Sequence, residues 1–471
     1  MQVKLTNNKG HKWITNGHVY FKGYFYLEDH YFDSNQDKDI LFEFDSILEK
    51  INLLQGSFSI VSLNKNEAYI VSDIIRTYPV FYSMNPHISI FDKLEKKDII
   101  SINNESLLDF KYLGYVTGNV TLSNDIFTIG AAEIVHFDEN KVSISEYFKF
   151  APIKENGLEV DYKKIHNLHI QAIKNVINST KGRQIIIPLS SGYDSRMILE
   201  LLIQDSYSNI ITYTYGKKNN PELSKSKELA DKYGVKWIFI ESSSSEWNKF
   251  RKSKIFKEYY EYAFDLTHVP HIQDLYAVYK LNRLNLVDND AVFVPGHSYD
   301  MIVGSHLTQN SIQKNDIESE INSIIDIHYN LWLDNNFQKK DKKQIYKRIK
   351  QSSFRDFSQN LSLKDYFDWK ERQSKFIIQS LKVYQYFNYE VRLPLWDKKI
   401  IDYWNDIDYK SRLNRIEFMK YVKEYFGHDY SLDKVTKESS IPFRLRKKLF
   451  NIKDLIKNYF GWYGIMNLKS K

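Results

Sequence analysis

Residues 188–196, Pro188-Leu189-Ser190-Ser191-Gly192-Tyr193-Asp194-Ser195-Arg196, concentrate the chemistry of this chain. An apolar run, Ile185-Ile186-Ile187, precedes them, and Met197-Ile198-Leu199-Glu200-Leu201-Leu202-Ile203 follows. That order predicts a strand, a tight polar loop and a helix. Such a loop offers unpaired backbone N–H groups and the positive end of a helix dipole, which together suit a phosphate. Ser190, Ser191 and Ser195 add hydroxyl donors, and Asp194 could hold a magnesium ion against phosphate oxygens. No Gly-Lys-Ser/Thr follows, so this is not a Walker A loop. An ordinary strand-to-helix turn with an Asp or Ser cap would use the same residue types.

The surrounding elements must hold that loop in place. From about residue 160, a helix over Ile165–Val176 leads into the first strand. Then come a second strand (Ile210–Gly216), a helix (Leu223–Tyr233) and a third strand (Trp237–Ile240). This βαβαβ run predicts a parallel sheet covered by helices, with ligands at the carboxyl ends of its strands. Residues 1 to about 150 read mainly as strands, among them His18–Phe21, Ser57–Val61, Ala68–Val71 and Ala132–Phe137, with a helical pattern at Ile40–Ile51. Residues 310–390 are charged and helical in pattern. A chain of 471 residues divides most naturally in two, and the expected division is 1–155 and 156–471.

The loop resembles the pyrophosphate loop, Ser-Gly-Gly-X-Asp-Ser, of the ATP pyrophosphatase superfamily. Further segments are similar to asparagine synthetase-like enzymes, in the same order. Val292-Phe293-Val294-Pro295-Gly296-His297-Ser298-Tyr299-Asp300-Met301-Ile302-Val303-Gly304 resembles the family's Ser-Gly-X-Gly-X-Asp-Glu segment. Asp300 stands where the family has a magnesium-binding aspartate, and Met301 replaces the glutamate after it. Glu390-Val391-Arg392-Leu393-Pro394-Leu395-Trp396-Asp397 resembles Glu-X-Arg-X-Pro-Phe-Leu-Asp, and Lys437 stands like a late lysine that reaches the active site. Residues 54–61 and 73–82 resemble the family's glutaminase domain.

The resemblance implies an α/β plus α+β fold. Its C-terminal part would be a parallel-sheet ATP pyrophosphatase domain, of the adenine nucleotide α-hydrolase-like type, with extra helices. Its N-terminal part would be a layered β-sheet domain of the Ntn-hydrolase-like type. It further implies an ATP- and Mg2+-dependent ligase that adenylates a carboxylate and transfers it to ammonia or an amine. Asp194 and Asp300 would bind the metal. Leu189, Ser190, Ser191, Gly192, Tyr193, Asp194, Ser195 and Gly296 would surround the nucleotide, with adenine against Tyr213, Tyr215 and Gly216, contacted largely by backbone. Lys437 would stabilise pyrophosphate. His297 lies three positions before Asp300, where β-lactam synthetases carry a catalytic tyrosine, and is the expected base. Glu371 is its expected acid partner, with Asp368 the alternative. A local hydrogen bond for His297 and exposed helix charges for the two acids are the competing readings. Glu390, Arg392 and Asp397 read best as structural ties.

One departure decides the chemistry. The family's glutaminase begins with cysteine after Met1, whereas this chain has Gln2 and no cysteine at all. An amide side chain is no nucleophile, so nitrogen must come from ammonia, another protein or an amine on the substrate. The carboxylate could belong to a small molecule, a sugar acid or a peptide. Ser191, where the family has glycine, adds a Cβ beside the phosphates. A degenerate nucleotide-binding or regulatory protein and a tRNA-modifying relative are the other readings. The second fits poorly, because the net charge is a modest +7 and the basic run Arg444, Arg446, Lys447, Lys448, Lys453 and Lys457 suits a solvated helix face. No apolar run is long enough for a membrane span or signal peptide, so no membrane partner and a cytoplasmic location are expected. A homodimer is left open. The purified chain is expected to release no glutamate from glutamine above background. Sustained release in an enzyme-coupled glutamate assay would refute the loss of that activity.

Overall fold

The computed structural model describes residues 1–427 except 29, 95–97, 139–140, 191, 219–220, 308–315, 330–338, 352–357 and 359. Ser191, Lys437 and the basic run beyond Arg444 lie outside the described residues.

Sixteen strands form three sheets among the described residues. The N-terminal strands are β1 (Gln2–Lys4), β2 (Trp13–Thr15), β3 (Val19–Leu27), β4 (His30–Asp33), β5 (Gln55–Leu63), β6 (Glu67–Ser72), β7 (Phe81–Ser83), β8 (Ser89–Phe91), β9 (Phe127–Thr128), β10 (Glu133–Asp138) and β11 (Lys141–Glu146). One sheet runs β1-β8-β7-β9. The other runs β11-β10-β6-β5-β3-β2, with β4 on β3. Alternating aromatic and β-branched residues drive these strands. Ile60, Val61, Ile70, Val71, Val135 and Phe137 are all buried where the layers pack. Of the expected Ile40–Ile51 helix only Phe44–Glu49 is α-helical, followed by a single 3₁₀ turn at Ile51–Leu53.

The third sheet is wholly parallel. Its strands are β12 (Ile185–Pro188), β13 (Ile210–Gly216), β14 (Lys236–Glu241), β15 (Val292–Phe293) and β16 (Glu390–Val391), in the order β14-β13-β12-β15-β16. Ile185, Ile186 and Ile187 are fully buried, as expected of a strand covered on both faces. Helix Tyr162–Thr180 packs beside helix Tyr193–Gln204, and Asp161 caps its start by accepting from the Lys164 N–H. The chain moves outward from β12 through β13 to β14, then returns to the other side of β12 as β15. The order therefore reverses between β12 and β15, and the loops after those two strands meet at the switch point where such sheets bind ligands.

Two polar knots join the N-terminal layers to this sheet. In the first, the buried Arg392 guanidinium donates to Asp33 (3.0 Å), Glu390 (2.9 Å) and the Tyr31 hydroxyl (2.9 Å), and lies 4.0 Å from the Tyr24 ring centre. Arg183 also donates to Glu390, at 2.9 Å. Burial pushes both carboxyls up, but His11 and Arg392 outweigh it and hold Asp33 and Glu390 below the ordinary carboxylate range. Arg392 and Glu390 are thus structural ties, and Asp397 caps helix Lys398–Asn405 by accepting from the Lys399 N–H.

In the second knot, a π-helix over Asp368–Ile377 is gripped from the N-terminal side. Trp369 Nε1 donates to the Ile74 carbonyl (2.8 Å), and Lys370 Nζ pairs with Glu133 (2.9 Å) and Glu146 (2.6 Å). Glu371 accepts from the Gly118 N–H (3.1 Å) and from Lys375 Nζ (2.5 Å). Lys375 Nζ donates to the Gly118 carbonyl, and Gln379 Nε2 to that of Arg76. π-Helices are rare and concentrate at functional sites.

Arg392→Met is expected to destabilise the protein by about 3–5 kcal/mol, because two carboxylates stay buried without their cation. Carboxylates with lowered folded pKa values stabilise the fold above their unfolded values (ordinarily 3.8 and 4.5) and lose that contribution as pH falls through the folded ones. The deficit should therefore shrink below about pH 4. Urea unfolding at pH 7 and pH 3 checks this; equal midpoints for variant and parent at pH 7 would contradict it.

Candidate active site

The β12 loop opens directly onto helix Tyr193–Gln204, whose N-cap is Gly192 and carries no side-chain cap. The dipole and first-turn N–H groups of such a helix start favour an anion. The loop is braced internally. The Ser190 N–H donates to Ser195 Oγ (3.2 Å), and the Gly192 N–H donates to Ser190 Oγ (3.1 Å). Leu189 is buried; its N–H donates to the Tyr213 carbonyl, and its own carbonyl accepts from Thr214 and Ser226.

The β15 loop lies against this one. A Cβ on Gly296 would come within 2.8 Å of both Asp194 Cβ and the Ser195 nitrogen, so only glycine permits the approach. Ser298, at φ +65°, turns the chain into the short helix Tyr299–Ile302. That turn is fixed from below, where the buried Tyr299 hydroxyl bonds His169 Nε2 (2.6 Å) and Trp404 Nε1 (3.0 Å).

These constraints bring Asp194 and Asp300 together. Loss of hydration and the Asp300 charge push the Asp194 carboxyl up. Arg415 and the Asp300 backbone N–H act in the opposite sense. The Asp300 carboxylate accepts from Ser305 Oγ at 3.1 Å, and its carbonyl accepts from the Ser305 N–H at 2.8 Å. Arg415 also lies 5.6 Å from the Tyr193 ring centre, and nothing in the sequence motifs pointed to it. A pair of oxygen donors with surplus negative charge matches the donor set of Mg2+.

Of the residues expected beneath adenine, Tyr213 is fully buried in the core. Tyr215 bonds Asp274 through its hydroxyl, and the Gly216 carbonyl accepts from the Ser242 N–H. His297 Nε2 pairs with Ser380 Oγ at 2.7 Å, its imidazole held below the usual value by burial, with Asp274 opposing. Glu371 does not meet His297. Its carboxylate is engaged by Gly118 and Lys375 at the junction with the N-terminal layers, because the wide π-turn sends it to that side.

The other side of the π-helix carries a second charged group. His306 Nδ1 lies 2.5 Å from Asp368 Oδ2; Arg372 Nη1 lies 3.5 Å and Gln373 Nε2 3.0 Å from Asp368 Oδ1. Asp368 is buried, yet His306 and Arg372 hold its carboxyl far below the usual range. Burial pushes His306 down, but Asp368 and then Asp300 more than compensate and raise it above an ordinary histidine. Asp300 also acts on Arg372, so the two charged groups share one electrostatic neighbourhood. His328 lies beside them, its Nε2 buried without a partner among the described residues and its imidazole pushed down to about 4 by burial. His306 and Arg372 sit outside every motif, and no local signal could have joined them to Asp300.

No protein-family model matches the chain, and no curated protein matches it. Among solved structures the chain is similar to an NH3-dependent NAD synthetase from Campylobacter jejuni subsp. jejuni, at 13% identity over 42% of this chain and 96% of that one, with a TM-score of 0.24. It is also similar to glutamine phosphoribosylpyrophosphate amidotransferase from B. subtilis, at 8% identity over 62% of this chain and 58% of that one, with a TM-score of 0.16. Likeness at this level leaves the site to be judged from its own geometry.

Proposed function

We propose that this chain is an ATP-dependent, AMP-forming ligase that activates a carboxylate and passes it to ammonia or an amine, without a glutaminase step. The observation that carries the reading is the Asp194–Asp300 pair at the sheet's switch point, beside an uncapped helix N-terminus. A carboxylate is a poor electrophile, and attack on the α-phosphate of ATP gives it a good leaving group. Pyrophosphate then departs with concentrated negative charge. The amides at the start of helix Tyr193–Gln204, with Ser190 and Ser195, suit that charge. Asp194 and Asp300 would hold Mg2+, which offsets phosphate charge when bound. Arg372, a third exposed and next to Asp368, is placed to orient an anionic substrate. Lys437 retains its proposed role at pyrophosphate.

Asp194→Asn and Asp300→Asn are each expected to abolish Mg2+-dependent pyrophosphate release from ATP while leaving the fold intact. Near-parental release from either variant would remove the assignment, and ATP binding without any release from the parent would favour the degenerate nucleotide-binding reading.

The same pair predicts a trade between stability and function. A carboxyl raised above its ordinary 3.8 in the folded state destabilises the fold increasingly as pH climbs from that value. Without metal at pH 8, Asp194→Asn should melt above the parent. Mg2+ should raise the melting temperature of the parent and not of the variant. Thermal melts with and without Mg2+ check both; a variant that melts lower and still responds to Mg2+ would contradict the account.

A further inference from the structure

We infer that His306, oriented by Asp368, is the base that takes the proton from the attacking amine; this rests on the ligase reading above. The pair has the features of a general base. Asp368 is almost fully buried, at 2% side-chain exposure, and fixed by Gln373 and Arg372. In the neutral imidazole its contact sets the tautomer, with the hydrogen on Nδ1 pointing at the carboxylate and the lone pair on Nε2. Among the described residues Nε2 has no protein hydrogen bond, and the imidazole is 30% exposed. The backbone on either side is anchored, because Ser305 donates to Asp300 and Lys364 Nζ donates to the His306 carbonyl at 2.6 Å. The base therefore stands one residue beyond a direct contact of the metal-binding pair. His297 lacks this freedom, its Nε2 being engaged by Ser380.

The amine lone pair forms the C–N bond to the activated acyl carbon. The C–O bond to AMP breaks, and its electron pair leaves on the phosphate oxygen. The proton lost by nitrogen goes to His306 Nε2, giving an imidazolium whose Nδ1–H faces Asp368. The product amide and AMP then depart, and the imidazolium returns its proton to water.

Asp368 acts through His306 and is a positioning residue. Its place depends on the π-helix, and the N-terminal layers hold that helix by Trp369, Lys370 and Glu371. A sheet layer without a cysteine nucleophile thus keeps a part in the reaction, as the brace that presents Asp368.

The test compares two nucleophiles on the full-length protein, with L-aspartate, D-glucuronate and N-acetylglycine as acid probes. Acid-dependent ATP–pyrophosphate exchange reads the first half-reaction. Amide formation from ammonium reads the second with a nucleophile that must shed one proton before attack and another as the amide forms, and hydroxamate formation from hydroxylamine reads it with one that is largely neutral and more reactive at pH 7 and sheds only the later proton. His306→Gln is expected to keep exchange within roughly threefold and to lose about 10²–10⁴-fold in amide formation, with hydroxamate formation largely retained. Asp368→Asn should show the same split to a smaller degree. Retained exchange certifies that each variant is folded. Parallel loss of exchange and amide formation, unchanged amide formation, or equal loss with both nucleophiles would each overturn the role of His306. Absence of exchange in the parent with all three acids would instead overturn the ligase reading, and this proposal with it.

Discussion

Two carboxylates forced together at the open end of a parallel sheet are the constraint around which this protein is built. Asp194 and Asp300 repel, and the fold does not let them separate. Gly296 admits one loop against the other, and Ser298 accepts a left-handed turn to complete it. Tyr299, His169 and Trp404 lock that turn from the core. Arg415 offsets only part of the charge. A site so arranged costs stability in the free protein, and a divalent cation carrying a polyphosphate would relieve it.

The second organising feature is the π-helix at Asp368–Ile377. Its wide turn divides one short segment between two tasks. Lys370, Glu371 and Lys375 face the N-terminal sheets and are satisfied there by Glu133, Glu146 and Gly118. Asp368 and Arg372 lie beside His306, within electrostatic reach of Asp300. Buried ion pairs of this kind contribute little net stability, yet breaking one is costly. They therefore define the seating of the helix more than they strengthen the fold. The Arg392 knot does the same for the strand that follows, joining Asp33 in β4 to Arg392, just beyond β16, across 359 positions of sequence.

Local signals made much of this legible. The isoleucine run before Pro188, the loop through Ser195 and the spacing to β13 and β14 lie within one βαβαβ unit, and the observed strands match that reading closely. The N-terminal strands were legible through their alternation, and Asp194 and Asp300 through the loops that carry them. What escaped depends on contacts between distant segments. His306 and Asp368 are 62 positions apart, and Gly118 and Glu371 253. A helical pattern does not separate Glu371 from Asp368, whereas the π-helix carries Glu371 to Gly118 and Lys375 and Asp368 to His306. The ring of Tyr213 is buried in the core, where strand alternation carries it.

Calorimetric titration of ATP into the full-length protein, with and without Mg2+, tests the central claim most directly. The account predicts Mg2+-dependent binding that weakens at least about tenfold, some 1.4 kcal/mol, in Asp194→Asn and in Asp300→Asn. ATP binding that is indifferent to Mg2+, or equal affinity in both variants, would contradict it.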